Sequence, residues 1–299
     1  MHRTFFASVL AAGLAAGVSS LSLAQAPPSG EWKQVESAMG RSGQPQPGDV
    51  LKFSMPRKDL KVAVAGTQVK AGLALGSWVA FKKMGNQAMA MGDLVLAESE
   101  VEPVMKKLEE GGVQITALHN HLLGETPRVM YMHVMAQGDA VKIAQTMHAA
   151  LALTGTPAER TEAAPVAGKL DIDAARIEEA LGRKGKINGG LLQFAVPRAE
   201  TITDHGMEVP PSMGTATSIN FQPTGGGKAA VTGDFVLVAP EVNPVIAALR
   251  SGGVEVTALH SHMLTEEPRL FFLHFWANDD AVKLARTLRS ALDKTNSAH

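Results

Sequence analysis

After one continuous apolar run, the chain shows two alternating periodicities. Residues 5–23 are apolar or small and carry no charge. His2 and Arg3 precede them, and Ala24-Gln25-Ala26 and Pro27-Pro28 follow. A positive start, an apolar stretch and a small-x-small ending predict an export signal over residues 1–26, cleaved near Ala26. The stretch is long enough for a membrane anchor, but its Ala/Gly/Ser content and cleavage pattern favour the signal. Further on, Trp32, Val35 and Met39 have the spacing of one helix face and stop at Gly40, and Ile177 and Leu181 stop at Gly182. Runs around 50–55, 61–69, 77–83 and 87–97 read as strands. A helix over 99–110 ends at Gly111-Gly112, and its counterpart over 240–250 ends at Gly252-Gly253. A strand over 113–121, a turn, a strand over 128–136 and a helix over 138–151 follow.

The pattern occurs twice. Val113-Gln-Ile-Thr-Ala-Leu-His119-Asn-His121-Leu-Leu-Gly-Glu125-Thr-Pro127-Arg128-Val-Met-Tyr-Met-His133 returns 141 residues later as Val254-Glu-Val-Thr-Ala-Leu-His260-Ser-His262-Met-Leu-Thr-Glu266-Glu-Pro268-Arg269-Leu-Phe-Phe-Leu-His274, identical at eleven of twenty-one positions. Pro56-Arg57 matches Pro197-Arg198, Gly92-Asp93 matches Gly233-Asp234, and Asp139 to Lys142 match Asp280 to Lys283. Solenoid units are shorter than this period, so the repeat indicates duplicated domains. The expected division is 27–153 for the first copy, a Thr/Ala/Pro/Glu-rich linker over 154–168, and 169–299 for the second. Each copy reads β-β-β-β-α-β-β-α. That order predicts an α+β fold, an antiparallel sheet with helices on one face, whose last βαββα portion is ferredoxin-like. The second face of each sheet needs a cover, for which the other copy is available.

Composition narrows the function classes. Apolar residues make up 45% of 299 and the formal charge is −1 with no basic stripe, which argues against a nucleic-acid partner. There is no cysteine, so an exported form has neither disulfides nor a thioester-linked lipid anchor. No later stretch has the length and apolarity of a membrane span, so no membrane association is expected after cleavage. The expected location is the periplasm or the medium.

The repeated hairpin carries the candidate chemistry. Residues two apart on a strand share a face ~7 Å apart, which pairs His119 with His121 and His260 with His262. Two imidazoles with a nearby carboxylate, Glu125 or Glu266, suit zinc, copper, nickel or iron. His133 and His274 would complete each set if the hairpin register places position 119 opposite 131, whereas a slip of one residue turns them to the other face. The alternative is that these histidines are hydrogen-bonded packing residues between the copies. Met130, Met132 and Met135 exchange with Phe271, Leu273 and Trp276 in the repeat, as core residues do. Arg128 and Arg269 could hold a carboxylate or phosphate, although ion pairs with Glu125 and Glu266 account for them more simply. Asp93 and Asp234 fit turn formation or an approach to the site. No separate acid–base pair stands out, and no reaction follows.

Familiar motifs fail here. The His-Asn-His letters lack a nuclease context, and His-x-His-x3-Glu lacks the glycine offsets of the cupin barrel. Gly225-Gly226-Gly227-Lys228 lacks P-loop spacing. The run Ala-Leu-His-Asn-His-Leu-Leu-x-Glu-x-Pro-Arg-Val-x-Tyr-Met-His, with Met-Gly-Asp-Leu-Val-Leu upstream, resembles the LppY/LpqO-type bacterial envelope proteins across both copies. The resemblance implies export and a duplicated domain of unknown function. The cell-wall association attached to some members would make a cell-wall component or a small polar molecule the ligand. The missing anchor cysteine departs from the lipoprotein members and points to a free protein.

Overall fold

The computed structural model describes residues 30–157 and 170–298. The expected export signal and most of the linker lie outside them. Among the described residues no helix is long and apolar enough to cross a membrane. The first copy comprises α1 (Gly30–Met39), β1 (Gln44–Gln46), β2 (Val50–Pro56), β3 (Ala63–Val64), β4 (Thr67–Gln68), α2 (Ala71–Ala74), β5 (Gly76–Met84), β6 (Gln87–Ala97), α3 (Glu98–Glu110), β7 (Gln114–His119), β8 (Glu125–Thr126), β9 (Val129–Gly138) and α4 (Ala140–Leu151). The second comprises α5 (Ala174–Leu181), β10 (Lys186–Asn188), β11 (Leu191–Pro197), β12 (Thr203–Asp204), β13 (Met207–Glu208), β14 (Ala216–Gly225), β15 (Lys228–Val238), α6 (Ala239–Ser251), β16 (Glu255–His260), β17 (Glu266–Glu267), β18 (Leu270–Asp280) and α7 (Ala281–Leu292). A 3-10 turn at Pro211–Met213 replaces α2.

Each copy builds a six-stranded antiparallel sheet, in the orders β1-β2-β5-β6-β9-β7 and β10-β11-β14-β15-β18-β16. The order β6-β9-β7 around α3 is the split βαβ arrangement expected of a ferredoxin-like half. The segment expected to be a strand over 61–69 is instead a tight hairpin outside the large sheet. Ala65 at φ 46° and Gly66 at φ 79° turn the chain between β3 and β4, and β8 joins them in a three-stranded arm.

Both faces of β6 are covered, so its sequence Ala-Met-Ala-Met-Gly-Asp-Leu-Val-Leu is almost continuously apolar rather than alternating. The two faces differ in partner. Ala88, Ala90, Leu94 and Leu96 join the core under the helices, together with Met132 and Val134 of β9. Met89, Met91 and Met135 face the second copy and pack with Ile202, Val209 and Met213 of its arm. The first copy's arm returns the contact, placing Val62, Val64 and Leu73 against Leu191, Ala230 and Trp276. Each arm thus closes the open sheet face of the other copy. Polar contacts repeat across the same pseudo-dyad: Lys82 Nζ donates to Glu208 O at 2.7 Å, and Gln222 Nε2 donates to Gln68 O at 2.7 Å.

Inside each copy a buried arginine ties the sheet to a helix. Arg57, 1% exposed, donates to both carboxylate oxygens of Asp59, to Glu100 of α3 and to Val95 O. Arg198 does the same with Glu200, Glu241 and Val236 O. Glu100 Oε2 also accepts from Ala97 N at 2.8 Å, where α3 begins. Removing one partner strands buried charge, so Arg57→Ala is expected to lower unfolding free energy by about 3–5 kcal/mol. Urea denaturation measures this; a loss below about 1 kcal/mol, the level of a surface pair, would show the network to be dispensable.

Candidate metal centre between the copies

The site grows out of strand register. Ala117 stands opposite His133 and His119 opposite Tyr131, past an irregularity between Ile115 and Ala117. The second copy matches it, with Ala258 opposite His274 and His260 opposite Phe272. In this register His133 and His274 lie on the same face as the His-x-His pairs, and that face looks at the other copy. The next strand supplies a carboxylate: Asp93 pairs with His133 across β6 and β9, and Asp234 with His274 across β15 and β18. The preceding glycines have a packing reason. A Cβ at Gly233 would sit 1.9 Å from Ser218 O, and one at Gly92 would sit 2.9 Å from Trp78 O. Only glycine lets the neighbouring strand approach that closely.

Six imidazoles therefore meet at the pseudo-dyad. His119 stacks on His260 with centroids 3.5 Å apart, His121 on His274 at 3.8 Å, and His133 on His262 at 3.7 Å. Tyr131 closes one stack against His121 at 3.4 Å, and Phe272 closes the other against His262 at 3.4 Å. Threonines lock the two hairpins reciprocally: Thr116 Oγ1 donates to His262 O at 2.5 Å, and Thr257 Oγ1 to His121 O at 2.6 Å.

The hydrogen bonding of the rings is one-sided. Nδ1 of His119 meets Asn120 O at 3.1 Å, that of His260 meets Ser261 O at 3.3 Å, and that of His274 meets Gly233 O at 2.8 Å. A carbonyl only accepts, so these Nδ1 atoms carry the proton and Nε2 carries the lone pair. All six Nε2 atoms are buried and make no well-directed hydrogen bond, although His262 Nε2 lies 3.2 Å from Asp234 Oδ2; Oδ1 of Asp93, Oδ1 of Asp234 and the Tyr131 hydroxyl are likewise buried without a hydrogen-bond partner. Burial, followed by the neighbouring imidazoles, holds His119 down to about 3, and burial with His119 holds His260 at about 4. Burial pushes His121, His133 and His262 well below the usual histidine range and lowers His274. Burial also raises Asp93 well above the usual carboxylate range, with Asp234 across the dyad adding to it, and it raises Asp234. Without a cation the cluster is thus six neutral rings and two carboxyls that resist ionising.

Among the described residues two ligand sets emerge. His119, His121 and His133 offer atoms within 4.8 Å of one another, and so do His260, His262, His274 and Asp234. Two nitrogens bound to one ion at about 2.1 Å lie at most about 4.2 Å apart, so small side-chain shifts suffice to seat an ion. Asp93 stands near the first set, with Oδ2 3.7 Å from His121 Nε2.

Glu125 and Glu266, the carboxylates expected as ligands, lie outside both sets. Each belongs to an arm strand, Glu125 pairing with Val64 and Glu266 with Asp204. Glu266 accepts from Leu270 N at 2.9 Å and from Arg269 at 3.2 Å. Arg269 also donates to Met263 O and Leu264 O, and Arg128 is exposed with its Nε 3.9 Å from Glu98 rather than Glu125. Neither arginine borders the cavity over the histidines. The carboxylates beside the histidines are Asp234, which belongs to the second set, and Asp93, which stands next to the first. The signal for them was the repeated Gly-Asp inside an apolar strand, where a charged residue needs a reason.

Fold and site together define a class: a duplicated α+β protein whose copies close face to face over a shared histidine–aspartate cluster. The chain belongs to the family described as Domain of Unknown Function (DUF1259), which matches residues 33–153 and again 175–294. No curated protein matches the chain. Among solved structures, the trimeric bacterial microcompartment shell protein PduB aligns at 12% identity over 84% of this chain and 88% of its own, with a TM-score of 0.20. EtuB from Clostridium kluyveri aligns at 9% over 84% and 90%, with a TM-score of 0.19. Scores this low carry no argument about function.

Proposed function

We propose that the protein is an exported metal-binding protein that holds a divalent transition ion in each copy. His119, His121 and His133, with Asp93 beside them, form one site, and His260, His262, His274 and Asp234 form the other. The observation that carries this reading is the six buried Nε2 atoms that converge at the pseudo-dyad without a well-directed hydrogen bond, with the Asp234 carboxylate 3.2 Å from one of them. A buried polar atom without a partner costs about 1–3 kcal/mol, and six in one cluster are hard to reconcile with packing alone. Proton-bearing Nδ1 atoms anchored on carbonyls are the usual outer support of metal-bound histidines. Nitrogen-rich sets with one carboxylate suit zinc, copper, nickel or iron, and an ion there would act as a Lewis acid. Export rests on the N-terminal pattern and predicts a mature chain starting near Pro27, free in the periplasm or medium. Protein isolated from the periplasm of its native cells should begin there and carry two equivalents of one such metal by elemental analysis. Metal at background level in protein never exposed to chelator would sink the proposal.

A further inference from the structure

The copies are related by a pseudo-dyad, but the cavity above the histidines is not symmetric. It is a partly open cleft of about 570 Å³ lined by both sheets, with His121, His133, His262, His274 and both aspartates among its lining residues. Pockets of this size hold small organic molecules. Strand register equates Lys52 with Gln193 and Trp78 with Ser218, since Trp78 pairs with Asp93 and Ser218 with Asp234. The first copy thus contributes a cation and an aromatic ring, with Lys52 Nζ 4.2 Å over the Trp78 ring. The second contributes neutral hydrogen-bonding groups, Gln193, Ser218 and Asn220. Among the described residues, Lys52 is the one lysine or arginine bordering the cavity. Its ammonium has three donors and directs one to Ser212 O at 2.8 Å.

Resting on the metal reading, we infer that the cavity takes a small organic carboxylate, held between the Lys52 ammonium and the metal sites, with its carbon skeleton on Trp78 and its hydroxyl or amide groups on the second copy's wall. One lysine faces one negative charge. A doubly charged phosphate would leave one of its charges without a side-chain cation on the cavity wall.

Cobalt(II)-loaded protein tests this, because the visible bands of the ion report a new ligand. Lactate is the probe, inorganic phosphate the competitor, and Lys52→Gln the variant, which installs the residue the second copy carries at the same position. Lactate should shift the bands of the wild type, with half-saturation at least ten-fold lower than in Lys52→Gln and lower than for phosphate. Bands that lactate leaves unchanged, or equal half-saturation in the variant, would overturn the inference while cobalt binding itself still stands. Tighter phosphate binding would overturn the choice of carboxylate. Absence of cobalt bands in the wild type would remove the metal reading beneath it.

Discussion

Replacing His133 and His274 by alanine together should abolish the stabilisation that a transition metal gives this protein. An ion that binds only the folded chain adds about 4 kcal/mol when its concentration is a thousand times its dissociation constant. For a chain of this size that raises the melting temperature by about 10 °C. The double substitution removes one imidazole from each ligand set, and with it the opposing partner of Asp93 on β9 and that of Asp234 on β18. Two nitrogens per set remain, so the variant should gain no more than about 2 °C from the same metal. Metal-free melting separates this effect from misfolding. Each alanine leaves a small void, but it also deletes a buried Nε2 that has no partner. A variant that still gains the full shift would place the ion elsewhere; Glu125 and Glu266 would then need reconsidering despite their bonds within the arms.

The second large effect is on acid stability of the metal-free protein. In the unfolded chain a histidine titrates near 6.5. In the folded chain His119 is held to about 3 and His260 to about 4, and the other four are lowered as well, burial being the leading cause each time. As pH falls below 6.5 the unfolded state takes up protons that the folded state refuses, so stability present above that pH is lost on the way down. Each histidine contributes a slope of about 1.4 kcal/mol per pH unit, and six together about 8 at the limit. Asp93 and Asp234 act in the opposite sense. Their raised folded values add stability as pH falls through them, but two carboxyls do not offset six rings. Urea midpoints with a chelator present should therefore drop steeply between pH 7 and 5. Saturating metal should move that drop to lower pH, since protons and metal compete for the same lone pairs. A midpoint constant over this range would mean that the histidines are neither buried nor neutral.

How much of this was legible from residues alone differs by element. The 141-residue repeat fixes the duplication, and the glycines at 40 and 182 mark the helix ends where α1 and α5 stop. Exchange with Leu273 and Trp276 marked Met132 and Met135 as core; Met132 packs beneath the helices and Met135 against the second copy, while Met130 is only half-buried. Period-two spacing anticipated His119 and His121 together; β7 ends at His119 and His121 follows in a bend, yet their rings lie 5.0 Å apart. All of these are local properties, set by helix and strand geometry over a few residues. The stretch over 61–69 misled, because its apolar valines suit a strand while Ala65 and Gly66 turn it into an arm.

The sequence by itself determined a duplicated α+β chain with a histidine-bearing hairpin in each copy. Three things were decided only by the tertiary structure. Hairpin register turned His133 and His274 inward, because a slip of one residue inverts every side chain and depends on how β7 and β16 pair, not on what they contain. Strand order brought Asp93 and Asp234, some 40 residues from their histidine partners, to the place that nearby Glu125 and Glu266 seemed positioned to fill. Face-to-face closure stacked His119 on His260 and made one buried cluster from two hairpins. Contacts between residues 141 apart leave no trace in local periodicity, so the hairpin marked where to look while the packing of the two copies decided what stands there.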